Sequence, residues 1–495
     1  MKRILHNIIL SVAAVAVSVS CIEETVPVGG SVTQAQVSAS KSALMSMINS
    51  IPATLYASGA AGYAGSYGDH TDFGIPGVHL RLEHMLEDIA TMSDNPYYNR
   101  FYAYDMNMAQ GSEYTYCAYF WDYYYTLIRL ANDVIASMKP VINENGSDEE
   151  DIEFKHIIGQ AYAYRAWFYL DLARIFEPKL NKYTDVRHLA GLTVPIVDEN
   201  TTIDDTKNNP RVSREVIYKF IFEDLARAEK YLDQSKSSFT EPSLMAVYGM
   251  YARAYIELGA AYKENKGVNP NPDILPLTQD EAYTKAAEYA RKAITASGCT
   301  ILTEAQWLDK TTGFNKINDS WMWALSQSTD TVLGNLHSWT AHMSNEACWG
   351  YGPMAQPGMN AILYARMSDT DFRKKNIISP DRSWDAVAPY TLQTKAEFDG
   401  QAPEVNRKFE MAPYAWFKFR PNTGEKYDNT VGNVTDIPLM RVEEMYLIEA
   451  EATAHYDEAT AKSLIASFMA HRDSAYTVPE RGIVDEILFQ KRIEF

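Results

Sequence analysis

Cysteine is scarce in this chain: four residues in 495, at positions 21, 117, 299 and 348, with no CxxC pair. Three of them fall in the body of the chain, an odd number at wide spacing, which argues against a disulfide framework and a zinc site. At most one bridge can form, and Cys117, Cys299 and Cys348 read as small buried residues. Positive charge is also in deficit. Lys and Arg number 45 against 64 Asp and Glu, for a net charge of −19. Such a surface repels phosphate backbones and weighs against nucleic acid as a partner. No P-loop, dinucleotide-binding glycine pattern or calcium-loop pattern occurs, and no cofactor or metal is expected. Long apolar runs are missing too: ILHNIILSVAAVAV, near the start, is too short for a permanent membrane span. The remainder is 46% apolar and 22% charged, the balance of a folded body of one large domain or two to four ordinary ones. Aromatics are plentiful, with 33 Tyr, 9 Trp and 18 Phe. Interhelical packing must claim most of them, but tyrosine at this level also suits surfaces that stack on ring-shaped ligands.

Residues 1–20 have the order of a signal peptide: Lys2 and Arg3, the apolar run, then small residues at VSVS. Cys21 follows at once. A lone Cys in that place resembles a bacterial lipoprotein cleavage site, the thiol becoming the lipid carrier, although Ser18 stands where Leu is commoner. Ile22-Glu23-Glu24 resembles the acidic tag of surface-displayed lipoproteins in Bacteroidetes. The competing reading is an ordinary secreted protein with a structural Cys21. Residues 21–40 are small and polar and read as a flexible tether.

From residue 41 to the C-terminus the expectation is a single, mostly α domain. KSALMSMINSIPATLYA and HLRLEHMLEDIATM are helical, on either side of a glycine-rich loop. EFKHIIGQAYAYRAWFYLDLARIF is a long apolar helix stopped by Pro178, and Ser213 caps another. Leu258, Gly259 and Tyr262 have the spacing of the first helix of a tetratricopeptide repeat, and Tyr283, Ala286 and Ala293 that of the second. Degenerate hairpins of this kind are expected over about 41–297 and 436–475, the last folding back near Tyr456. Between them, about 299–435 is loop-rich, with SWMWALSQS and YAWFKFRP as short strands. Trp321 and Trp323 would share one strand face, read as core. Loops of this length usually carry function.

Apparent enzyme motifs fail on their context. His79, Glu83 and His84 in HLRLEH have one residue too many for an inverted zinc motif, and AGSYG around Ser66 lacks the strand and helix of a nucleophile elbow. The stretch DIPLMRVEEMYLIEAEATAHYD reads as helical throughout, with Glu444, Leu447, Ile448 and Glu451 on one face and Arg441 one turn earlier. Glu444 and Glu451 could be the acid and base of a glycoside hydrolase. Such pairs usually come from different elements across a cleft, so charge-paired structural residues are the simpler fate.

Taken together, these segments resemble the SusD/RagB family of Bacteroidetes surface lipoproteins over nearly the whole length. The match is carried by Asp436-Ile437-Pro438-Leu439-Met440-Arg441 running into Glu443-Glu444-Met445-Tyr446-Leu447-Ile448-Glu449-Ala450-Glu451-Ala452. Arg165-Ala166-Trp167-Phe168-Tyr169-Leu170, Trp121…Tyr125…Ile128…Ala131-Asn132, Pro210-Arg211-Val212-Ser213 before Asp224-Leu225, and Asp369-Thr370-Asp371-Phe372-Arg373 support it. Relatives continue past a segment like ILFQKRIEF, so a truncated chain or a lost last element is expected here. The resemblance implies a non-enzymatic receptor on the outer surface of the outer membrane. It would be held by a lipid on Cys21, bind oligosaccharide and release it into a TonB-dependent (SusC-like) transporter. A helical-repeat receptor for peptides or another protein is the alternative. Family ligand faces fall here on residues 63–105 and 330–352. Tyr67, Tyr97, Tyr98, Trp339, Trp349 and Tyr351 are the candidate platforms, with Asp69 and Asn95 as polar partners and Arg441, Glu444 and Glu451 as a structural signature.

Overall fold

The computed structural model describes residues 40–57, 70–86, 88–91, 115–180, 182–183, 185–233, 238–331, 334–402, 410–480 and 482–495. Its longer helices are α1 (Lys41–Leu55), α2 (Ile75–Met85), α3 (Thr115–Met138), α4 (Glu149–Phe176), α5 (Arg214–Leu232), α6 (Leu244–Glu264), α7 (Gln279–Ser297), α8 (Val442–Ala454), α9 (Glu458–Met469) and α10 (Ile483–Glu494). Four short strands, β1 (Ile89–Thr91), β2 (Trp321–Leu325), β3 (Pro357–Met359) and β4 (Ile437–Arg441), form two antiparallel pairs, β1 with β3 and β2 with β4. The fold is mostly α, with short strands in the loop-rich part.

Helices pack in sequence order, α3 on α4, α4 on α5, α6 on α7, α7 on α8 and α8 on α9. Gly259 explains the closeness of α6 and α7: a Cβ placed there would lie 2.7 Å from the Tyr283 ring. The repeat spacing therefore encodes a contact, a bare backbone under an aromatic knob. Gly259→Ala is expected to cost about 1–3 kcal/mol by overpacking, measured by urea unfolding. A loss below experimental error would show that the helices can simply part. Along α4, every side chain from Ile157 to Leu170 is buried, so this helix is the axis of the core and not an amphipathic surface helix. Trp323 packs edge-on against Trp167 at 4.7 Å, and both tryptophans of β2 are buried. Met322 and Ala324, which alternate with them, are fully enclosed as well, so both faces of this strand are covered.

Four expectations need correction. HLRLEHMLEDIATM is not helical throughout: α2 stops at Met85, and Ile89–Thr91 is strand β1. DIPLMR is not helical: Ile437–Arg441 is strand β4, and Arg441, at φ −120° and ψ 151°, is the extended N-cap of α8. Pro438 has no N–H to give a helix, and pairing with β2 holds the segment extended. YAWFKFRP is not a strand; it makes only isolated bridges, Ala415 to Gly358 and Trp416 to Ile377, because Tyr414 turns the chain at φ 66°. Ser213 does occupy the N-cap of α5, but its hydroxyl makes no capping bond there.

Candidate functional site

The motif residues converge in the core as charge clusters. Arg165 donates to both carboxylate oxygens of Asp224 at 2.7 and 2.8 Å, to Asn132 at 2.8 Å and to Glu199 at 2.5 Å. Glu199 is held down at about 2: its burial is outweighed by Arg165 and Lys139. A second cluster surrounds Glu494, which accepts from Arg472 at 2.9 and 3.0 Å, from Arg373 at 3.0 Å and from Arg441 at 3.2 Å.

Each glutamate of α8 has a basic partner. Glu443 accepts from Arg472 and the Leu302 amide, Glu444 takes both ends of Arg253 at 2.6 and 2.7 Å, Glu449 pairs with Arg291, and Glu451 with Lys491. Burial raises the Glu444 carboxyl, but Arg253 outweighs it and holds the group below its ordinary range. Held ionised by Arg253, Glu444 offers no proton donor at neutral pH, and Glu451 is engaged by Lys491.

A pair of adjoining cavities, of about 400 and 480 Å³, lies between α2, β4, α10 and the loop that carries Lys418. Trp339, Phe419 and Phe495 line both, joined by Glu83 and Lys418. Trp339 opens a short helix, Trp339–Met343, whose N-cap Ser338 accepts from the Ala341 amide at 3.2 Å. That cap fixes where the half-buried indole points, and its edge meets Phe419 at 5.2 Å. The first cavity adds Phe314, Asn315, Asp436, Arg441 and Glu444 to the wall. Aromatic walls with a few convergent polar groups describe a site able to hold a ring-shaped, hydroxyl-rich molecule without chemistry.

Of the platform candidates, Trp339 lines these cavities, whereas Trp349 and Tyr351 do not. Trp349 is half-buried and meets Gly432 with the edge of its ring, where an added Cβ would fall 2.2 Å from Cζ2. Tyr351 is buried, stacked on His342 at 4.9 Å with its hydroxyl against His70, so its ring faces are not open to a ligand; as a platform it is corrected to core. Tyr67, Asp69, Asn95, Tyr97, Tyr98 and Cys21 lie outside the described residues, as does Ser66. His84 is buried with Nδ1 on the Leu80 carbonyl, while His79 faces the cavity. Lys418, Phe419, Phe314 and Phe495 escaped sequence reasoning, and Glu83 was weighed there only as part of a metal motif. The one available signal was WFKFR, where a lysine interrupts four aromatic or basic neighbours.

Among the described residues, no helix is long and apolar enough to cross a membrane. Residues 77–256 match the model of a family described as starch-binding and associating with the outer membrane. A comparison with proteins of curated function returned no match. Among solved structures, the chain is similar to a SusD-like carbohydrate binding protein from Bacteroides vulgatus, at 19% identity and TM-score 0.66, over 91% of this chain and 80% of that one. A SusD superfamily protein from Bacteroides thetaiotaomicron matches at 16% identity and TM-score 0.62, over 94% and 86% of the two chains. One from Bacteroides fragilis matches at 17% and 0.60, over 92% and 87%. The family model matches residues 77–256, within the first helical part of the chain, and the solved SusD-like structures share its fold across nine-tenths of its length.

Proposed function

We propose that this protein is a surface lipoprotein that captures an oligosaccharide without altering it and hands it to a TonB-dependent transporter in the outer membrane. The observation that carries the glycan reading is Trp339, a half-buried indole beside Phe419 at the edge of a cavity with interspersed Asn, Asp and Lys side chains. The apolar face of a pyranose stacks on such a ring while its hydroxyls reach polar neighbours. The family description and the carbohydrate-binding relative support the same ligand class. The lipoprotein-like start of the chain supports an anchor at Cys21, with the folded body outside the membrane. The paired state of Glu444 and Glu451 favours binding over hydrolysis.

Isothermal titration against a panel of neutral and acidic oligosaccharides tests the reading. Binding by at least one is expected, and Trp339→Ala should weaken it about tenfold through loss of one stacked face. Indifference to every sugar, or unchanged affinity in the variant, would remove respectively the ligand class or the site. Trp349→Ala should have a smaller effect, since that ring lines neither cavity.

A further inference from the structure

The 480 Å³ cavity departs from the character of the chain. In a protein with a net charge of −19, it is lined by Arg174, Arg373, Lys418, Lys491 and Arg492 against Glu83 and Asp88. Four of those cations already have carboxylate partners: Arg174 has Glu257, Arg373 has Asp371 and Glu494, Lys491 has Glu451, and Arg492 has Asp88. Lys418 is different. Its ammonium donates to the Glu494 carbonyl at 2.9 Å and to the main-chain oxygen of Phe495 at 3.3 Å, and among the described residues no side-chain carboxylate is within ion-pair reach. It sits over the Phe314 ring at 4.9 Å and close to the positive Arg441.

Two further groups on the same wall lack what a polar ligand would bring. Asn376 is 2% exposed, and among the described residues neither its carboxamide nitrogen nor its oxygen has a partner. Trp307 Nε1 is likewise buried and unpaired. Such groups are costly when left unmatched. Asn376 Nδ2 and Trp307 Nε1 therefore await acceptors, the Lys418 ammonium has one N–H beyond its two main-chain bonds, and the Asn376 oxygen awaits a hydroxyl. Across from them Glu83 makes no ion pair among the described residues, although the charge of Lys418 acts on it; burial pushes it up to about 7, which lets it donate as an acid. Burial also pushes Lys418 down to about 7, a cost that an anion beside it would relieve.

We propose that this cavity selects an acidic glycan, the ammonium of Lys418 receiving a uronate carboxylate while Asn376 and Trp307 take ring or hydroxyl oxygens. The cavity reaches the surface beside the part-exposed Arg492–Asp88 pair. The neighbouring cavity, with Trp339, would hold the next sugar. This inference rests on the glycan-binding reading and narrows it to a charge class.

The test is calorimetry on the full chain with trigalacturonate, its fully methyl-esterified form, neutral trisaccharides and triglutamate. Esterification keeps the shape of the ligand and removes its charge. The acid should bind about tenfold more tightly than the ester, an advantage that shrinks as salt is raised. Lys418→Met should bring the two affinities within about threefold. The salt series uses the unaltered protein and so holds whether or not the variant folds. Equal binding of acid and ester, a preference untouched by Lys418→Met, or uptake of triglutamate in place of the uronate would each overturn the proposal. Binding of neutral sugars with rejection of both uronate probes would sink the acidic selection while leaving glycan capture intact. Rejection of every sugar would sink the broader reading first.

Discussion

Glu494→Gln is expected to cost about 3–5 kcal/mol of folding stability, enough to leave the chain unfolded or aggregated at 37 °C. Glu494 is wholly buried, as is Arg472, and Arg373 and Arg441 are no more than 5% exposed at the side chain. One carboxylate thus serves three guanidinium groups drawn from β4, from the turn after α9 and from the Asp371 loop. The Gln amide has nearly the same volume, so packing is held constant and only charge is removed. Arg373 retains Asp371 and Arg472 retains Glu443, but the shared anion between them disappears, and three buried cations face one another. Urea unfolding of the two proteins reads the difference. A loss below about 1 kcal/mol would place this cluster with ordinary surface pairs and defeat the account.

The same cluster predicts an acid limb. Burial raises the Glu494 carboxyl, but Arg472 and Arg441 overwhelm it, and the group is held far below its ordinary value. A carboxyl with a depressed folded pKa stabilises the fold above its unfolded pKa. That contribution is lost as pH falls through the folded value. Stability measured from neutral pH downward should therefore decline on the acid side in the parent protein, and by less in Glu494→Gln.

How much of this could be read from residues alone differs by the range of the interaction. Gly259 and Tyr283 were legible because the contact they make is local: two consecutive helices joined by residues 265–278, with a period that places small under large. The α8 glutamates were legible as structural but not in their partners, since Arg253, Arg291, Arg472 and Lys491 come from four different elements. The strand at Ile437–Arg441 was hidden by an apolar pattern that a helix would also satisfy; only the pairing with β2 decides it. Tyr351 was misplaced for a related reason. Nothing near it in sequence announces His70 or His342 as stacking partners, and an aromatic beside glycines looks like a loop platform until the fold encloses it. Lys418 was invisible because an isolated lysine is almost always a solvated one, and its significance arises from what fails to face it.

Arg165 supplies the other large effect. Arg165→Lys should destabilise almost as much as Arg165→Met, each by about 3–5 kcal/mol, even though lysine keeps the charge. The guanidinium meets Asp224 along two parallel bonds, reaches Asn132 and Glu199 with its remaining nitrogen, and lies over Phe220 at 4.9 Å. An ammonium at the end of a flexible stem cannot make the paired bond and the other two contacts at once, and Asp224, with no exposure, would be left half-satisfied. Because Asn132 is on α3, Arg165 on α4 and Asp224 on α5, the loss should appear as a weakened union of those three helices. Hydrogen exchange of α3 and α5 amides should accelerate together, while α9 stays protected until global unfolding. Lys207→Ala is the control: its pair with Asp204 is largely exposed and should be worth at most about 1 kcal/mol. If Arg165→Lys were as mild as that control, the cluster would owe its strength to net charge alone, and the bidentate geometry would be incidental.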